Sequence, residues 1–236
     1  MELILEVIAL DAADARAARD GGADRIELVA DMRRQGLTPA VATFAAVRAA
    51  VDLPVRVMLR NQDGYALEHV EALRAAATAL RQAGADQFVL GFLDPHGTVD
   101  VAATEAVLEA IDGCRWTFHR ALDHATDRAA AWHALAGLPG LDQVLTAGSP
   151  DGVAAGLPTL QAEATRLQAG ATLEPGPPRV LPRILAGGGL RQEHVAPLVA
   201  AGVRAFHSGG AVRTGGRWDA PIDAALVADW RAHLRH

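Results

Sequence analysis

The sequence predicts a single (β/α)8 barrel over residues 1–236. Three observations predict it. Eight short apolar segments alternate with eight Ala-rich segments of helical character, the pattern of parallel strands covered on both faces. The joints repeat: Gly22-Ala23-Asp24, Gly84-Ala85-Asp86 and Ala201-Gly202-Val203 each close a helix with glycine and open the next strand. The first strand runs into Asp11-Ala12-Ala13 rather than a glycine-rich turn. The dinucleotide fingerprint of an open doubly wound sheet is therefore absent.

The elements follow in order. Leu3–Ala9 (LILEVIA) is apolar apart from Glu6 and reads as a buried strand. Asp11–Asp20 is an Ala-rich helix closed by Gly21-Gly22. Arg25–Leu28 (RIEL) is the second strand, with Glu27 inside it; Pro39 suits the first turn of a helix over Ala40–Ala50. Val55–Arg60 is a third strand, and the loop Asn61–Tyr65 leads to a long helix, Ala66–Ala83. Gln87–Phe92 is the fourth strand, followed by helix Asp100–Asp112. Trp116–His119 is the fifth, followed by a helix near Ala129–Ala136 with Asp127 as its N-cap. Gln143–Ala147 is the sixth, with a helix near Gly152–Gln168. Gly170–Pro182 holds four of the twelve prolines and is expected to be an irregular loop. Arg183–Ala186 and Ala205–Ser208 complete the strands, with helices Gln192–Ala201 and Ile222–Leu234 after them.

Composition narrows the function. The net charge of -6 argues against general nucleic-acid binding, which needs clustered cations. No apolar run approaches the roughly 20 residues of a membrane span. The N-terminus opens directly in a strand pattern without a basic leader or cleavage site, so a cytoplasmic protein is expected. All 22 basic residues are Arg. Without Lys there is no Schiff-base chemistry and no phosphate loop of the GK[ST] type. The one cysteine, Cys114, sits before the fifth strand, at the end away from the chemistry.

Barrel active sites lie at the carboxyl ends of the strands. The stretch Arg115–Asp123 (RWTFHRALD) shows the layout: an apolar strand ending in His119 and Arg120. The other strand ends offer Glu6, Glu27, Arg60, Thr146, His207 and Ser208. Closure places strands 8, 1 and 2 side by side and so gathers His207, Glu6 and Glu27, with His119 facing them. Two carboxylates and two imidazoles (Glu6, Glu27, His119, His207) suit a divalent cation. Equally, the carboxylates pair with Arg25, Arg60 or Arg120 and leave a histidine as general base. Gly187, Gly188 and Gly189 after strand 7, with Ser208, Gly209 and Gly210 after strand 8, are candidates for anion binding, because barrels bind phosphate there with backbone N–H groups. The alternative is that these glycines only close tight turns.

Gly21–Leu28 (GGADRIEL), Thr117–Asp123 (TFHRALD), Val144–Gly148 (VLTAG), Gly156-Leu157-Pro158, Gly187–Gly189 and Phe206-His207-Ser208 resemble the CutC family of bacterial and animal copper homeostasis proteins. The resemblance runs from about Leu5 to about Ser208. It implies a cytoplasmic barrel, usually a homo-oligomer, linked by name to copper tolerance. The family often has cysteine after the first-strand Glu and after GGADRIEL; this chain has Ile8 and Val29. Soft Cu(I) prefers thiolate and thioether ligands, so this departure weakens a copper-carrier role. A second Arg usual in the family two residues after Arg60 is here Gln62, and Leu173–Pro182 looks inserted.

Three functions follow as expectations. The first is a copper- or divalent-metal-binding homeostasis protein. The second is an enzyme on a small anionic or phosphorylated substrate, with Glu6, Glu27 and His119 in acid/base roles, Arg60 and Arg120 as clamp and the glycine loops on phosphate. The third is a non-catalytic module with its mouth plugged by Phe92, Tyr65 or Trp218. Trp218 and Trp230, beyond the resemblance, belong either over the barrel or on a partner subunit of a dimer or larger assembly.

Overall fold

In the computed structural model, which describes residues 3–169 and 181–235, eight parallel strands close into a barrel in chain order. They are β1 (Ile4–Ala9), β2 (Arg25–Leu28), β3 (Val55–Met58), β4 (Gln87–Leu90), β5 (Arg115–Phe118), β6 (Leu141–Thr146), β7 (Arg183–Ala186) and β8 (Ala205–Ser208). The helices are α1 (Ala12–Asp20), α2 (Val41–Ala50), α3 (Val70–Gln82), α4 (Val101–Leu108), α5 (Arg128–Leu135), α6 (Val153–Gln168), α7 (Val195–Ala200) and α8 (Ala224–His233). Most of the expected loop at 170–182 lies outside the described residues. Among them, no helix is long and apolar enough to cross a membrane.

Aspartates start the helices. Asp11, Asp100, Asp127 and Asp223 each accept a backbone N–H from the first turn of the helix that follows. This satisfies donors with no partner inside the helix. The Asp127 cap lies where the sequence places it. Several boundaries shift by a few residues, and α3 begins at Val70, not Ala66. The carbonyls of the expected first turn are taken elsewhere. Leu93 N donates to Tyr65 O, the Gln62 amide to Ala66 O and the Asn61 amide to Glu68 O. Those bonds hold 61–69 as a loop above β3 and β4.

Side chains alternate along each strand. The outward set, including Leu5, Leu28, Phe88, Phe118 and Phe206, is buried against the helices in one continuous core. The inward set is polar at one level. Arg25 bonds Glu6 and reaches across the barrel to Gln143. Arg56 meets Thr117, Gln87 and, at 2.6 Å, Asp142. Two guanidiniums thus lie inside the barrel with carboxylate or amide partners, as buried cations require. Nearer the mouth the interior turns apolar over Ile8, Val29, Met58 and Val89.

The C-terminal segment covers this barrel. Trp230 of α8 is buried in the helical shell. Trp218 lies over the mouth, with the Arg213 guanidinium 5.2 Å from its ring centroid and Gly209 beneath it. Arg213 is anchored by Asp14 of α1 at 2.5 Å. The two tryptophans therefore both pack on the barrel itself.

Helix α6 approaches the β6 end so closely that only glycine fits at its first turn. A Cβ on Gly156 would stand 2.0 Å from the Ala147 carbonyl oxygen and 2.6 Å from Ser149 N. Those neighbours are backbone and cannot swing away. Gly156→Ala is therefore expected to cost about 3 kcal/mol, the upper range of overpacking. The urea midpoint should fall accordingly; an unchanged midpoint would show that α6 shifts freely.

Candidate active site

Register positions the central group. Glu6 of β1 pairs in register with Arg25 of β2 and His207 of β8. Its two oxygens are both used: Oε2 accepts from Arg25 Nε, and Oε1 lies 2.8 Å from His207 Nδ1. The other ring nitrogen, His207 Nε2, lies 3.7 Å from Glu27 Oε2. Glu27 Oε1 is buried with no hydrogen-bond partner.

The charges follow from this geometry. Burial pushes Glu6 upward, but Arg25 and His207 outweigh it and hold the carboxyl at about 2. Burial pushes Glu27 up to about 7; the nearby Glu6 charge adds to this, while His207 and Arg25 oppose it. His207 is lowered by burial but raised overall by Glu27 and Glu6. At neutral pH Glu6 is ionised, His207 is biased toward its protonated form and Glu27 sits near its midpoint.

His119 stands apart from this group. Among the described residues, Glu6, Glu27 and His207 come within 4.8 Å of one another through their ligand atoms, and His119 is not with them. Its position at the end of β5 turns Nδ1 back onto Ala121 N, 3.3 Å away, where it caps the short 3-10 turn Arg120–His124. Burial first, then Arg60, holds it down at about 3.

The arginines expected as clamps are divided. Arg60 donates to the carbonyls of Arg34, Gln35, Gly36 and Gly64, so its fork ties the β2–α2 loop to the β3–α3 loop. Its charge still borders the cavity, 5.5 Å from the Tyr65 ring centroid. Arg120 pairs with Asp123 at 2.8 Å and reaches the Ser149 and Pro150 carbonyls. Its Nη1 has no hydrogen-bond partner among the described residues. Asp123, not singled out from the sequence, is the hub here: its carboxylate accepts from Thr146 Oγ1, Ala147 N, Gly148 N, Arg120 and Arg128. The signal was present, three residues after Arg120 in RALD, but a short carboxylate on an unassigned turn has many ordinary uses.

One cavity of about 540 Å³ gathers these ends. Glu27, His119, Arg60, Arg120, His207, Ser208, Gly188, Gly189, Gly209 and Gly210 line it. Glu6 lies below it. Gly187 does not line it: its amide donates to Thr146 O, and the His207 and Leu145 side chains crowd its Cα. Tyr65 and Trp218 form walls rather than a plug, and Phe92 belongs to the helical core. Ile8, Val29, Met58 and Trp218 make the opposite wall apolar.

The CutC family model matches residues 3–212. The chain belongs to the CutC family. Family protein CutC of Xanthomonas campestris pv. campestris is 36% identical over 208 residues, covering 86% of this chain and 82% of the relative. That of Klebsiella pneumoniae is 33% identical over 218 residues, covering 91% and 81%. The crystal structure of the putative copper homeostasis protein CutC from Streptococcus agalactiae superposes with a TM-score of 0.75 at 21% identity, covering 88% of this chain and 98% of the other. At that identity the structural likeness shows the shared barrel.

Copper, which the CutC name suggests, can be tested against the donors present. Among the described residues, no thiolate lies in the cavity. Ile8 and Val29 are part of its apolar wall, and half-buried Cys114 precedes β5 at the opposite end of the barrel. Met32 and Met58 offer thioethers. Of the hard donors, Glu6 is saturated by Arg25 and His207, in the manner of a carboxylate that orients an imidazole. The set lacks the thiolate that Cu(I) sites favour, and its soft donors are the two thioethers.

Two measurements follow. Between about pH 4.5 and about pH 7 folded Glu27 keeps a proton that the unfolded chain releases. Stability therefore falls as pH rises across that window. Glu27→Gln should flatten this slope, so urea midpoints at about pH 5 and about pH 8 should differ less in the variant than in the wild type. An identical pH difference in both proteins would place Glu27 at its ordinary value. Asp123→Ala leaves Arg120 and Arg128 short of a buried partner and strands the Ala147 and Gly148 amides. It should cost about 3–5 kcal/mol, the range for breaking a buried pair, by equilibrium unfolding; a loss under about 1 kcal/mol would make Asp123 a bystander.

Proposed function

We propose that the cavity binds a small anionic molecule and moves a proton on it, with Glu27 as the acid/base residue. One observation carries this: three buried polar atoms without partners among the described residues, Glu27 Oε1, His119 Nε2 and Ser208 Oγ, belong to residues lining one cavity. Buried polar atoms are nearly always satisfied, so three orphans at one place are the imprint of a ligand. A carboxyl held near 7 is matched to proton transfer at neutral pH. In this proposal Glu6 orients His207, and His207 tunes Glu27. Arg120 Nη1 and the turns Gly188–Gly189 and Ser208–Gly210 receive the anion, and Arg60 adds positive charge while holding the loops. The link to copper homeostasis remains at the level of the family name; the local chemistry favours an organic anion.

The test is a thermal-shift and calorimetric screen of inorganic phosphate and phosphate monoesters against wild type, Arg120→Met and Glu27→Gln. A ligand at about 100 times its Kd should stabilise the wild type by about 2.7 kcal/mol. Arg120→Met should weaken it at least about tenfold, the value of one charged hydrogen bond. Glu27→Gln should keep binding and lose turnover. Ligands that bind all three proteins equally, or no binding at all, would sink the proposal.

A further inference from the structure

His119 poses a narrower question. Its Nδ1 faces the Ala121 amide, which can only donate. Nδ1 must then be the acceptor, and a neutral ring carries its proton on Nε2. The ring is held in that pose. Its edge meets Tyr65 and Phe118 at centroid distances of 5.6 Å and 6.0 Å, and Gly91 leaves the room: a Cβ there would stand 2.7 Å from Nδ1. The backbone N of His119 is fixed to Leu90 O at 3.0 Å. Burial and the nearby Arg60 and His124 keep the imidazole from charging. The result is a rigid, neutral donor, and its N–H has no acceptor among the described residues.

Such a donor suits one kind of partner. A formal anion is better received by Arg120, which lines the same cavity and whose Nη1 has no hydrogen-bond partner among the described residues. A neutral oxygen that gains charge during a reaction is better served by a preorganised neutral N–H in a dry site. Polarisation of a carbonyl by an uncharged imidazole is an established use of this geometry. Glu27 of β2 lines the same cavity, and its Oε1 is buried without a hydrogen-bond partner among the described residues.

We propose that His119 donates its Nε2–H to a carbonyl oxygen, and that the ligand class of this cavity is a small anionic carbonyl compound whose adjacent carbon yields a proton to Glu27. The inference rests on the acid/base proposal above and specifies its substrate. In the step, the Glu27 carboxylate takes the proton from the carbon next to the carbonyl. The C–H electron pair becomes the C=C bond, and the carbonyl π pair moves onto oxygen, where the His119 N–H stabilises the enolate. Protonated Glu27 then returns the proton to carbon. Atoms and electrons balance with no co-reactant.

Two probes separate the claims: dihydroxyacetone phosphate, and glycerol 3-phosphate, which lacks only the carbonyl. The wild type is expected to bind the ketone about tenfold more tightly, the value of one hydrogen bond of about 1.4 kcal/mol. His119→Ala should erase that preference, and His119→Gln, which restores an N–H, should return part of it. In deuterium oxide the wild type should place deuterium at the carbon next to the carbonyl, and Glu27→Gln should not. Equal wild-type binding of both probes would overturn the carbonyl assignment and leave the anion site standing. Failure to bind either probe or inorganic phosphate would overturn the underlying proposal and this one together. Ketone binding without deuterium uptake would overturn the proton-transfer step. One measurement needs no variant: nitrogen-15 spectra of histidine-labelled wild type should show His119 protonated on Nε2 and unchanged between about pH 5.5 and 8.5. The opposite tautomer, or titration in that range, would overturn the donor role whatever the variants do.

Discussion

A carboxylate inside a closed barrel must be compensated, and the Glu6 carboxylate is where this molecule meets that constraint. Isolated in a low-dielectric interior, it would take up a proton. Arg25 from the next strand prevents that, and the same guanidinium spans the barrel to Gln143. With one oxygen occupied by Arg25, the other is left for His207. That contact orients the imidazole, and the imidazole faces Glu27. The strand register, a product of backbone pairing, thereby sets the charge state of the group at the mouth.

Charge alone does not make a functional group, as the cations around the mouth show. Arg60 and Arg120 both border the cavity. Arg60 spends its fork on carbonyls of two loops and Arg120 splits its donors between Asp123, two carbonyls and open space. Arg128 is consumed by Asp123, Thr146 and Glu163. The struts hold the loop ends in place around the cavity. Under the proposed function this arrangement would receive an anion without a lysine anywhere in the chain.

The apolar wall gives the cavity its other half. Ile8, Val29 and Met58 rise from β1 and β2 and from β3, and Trp218 from the C-terminal segment closes over them. Trp218 lies beyond the span that the CutC family model matches. The strand-end carboxylates and imidazoles lie within that span. Ile8 and Val29 put hydrocarbon at two positions of this wall, and Met32 and Met58 add thioethers.

The sequence by itself determined the barrel, because short apolar strands alternate eight times with Ala-rich helices and glycine closes three of the joints. It also determined which side chains stand at the strand ends, since strand polarity alone carries Glu27, His119, His207 and Ser208 to the mouth. It could not assign their partners. His119 looked like a fourth member of the Glu6, Glu27 and His207 group, yet its Nδ1 is taken by an amide two residues on. Arg60 looked like a clamp and is a strut; Gly187 looked like an anion loop and is a packing contact. Asp123 looked ordinary and holds five groups together. Only the tertiary structure decided these roles. Each depends on which loop carbonyl, amide or side chain stands at hydrogen-bond distance, and the sequence does not record which donor meets which acceptor.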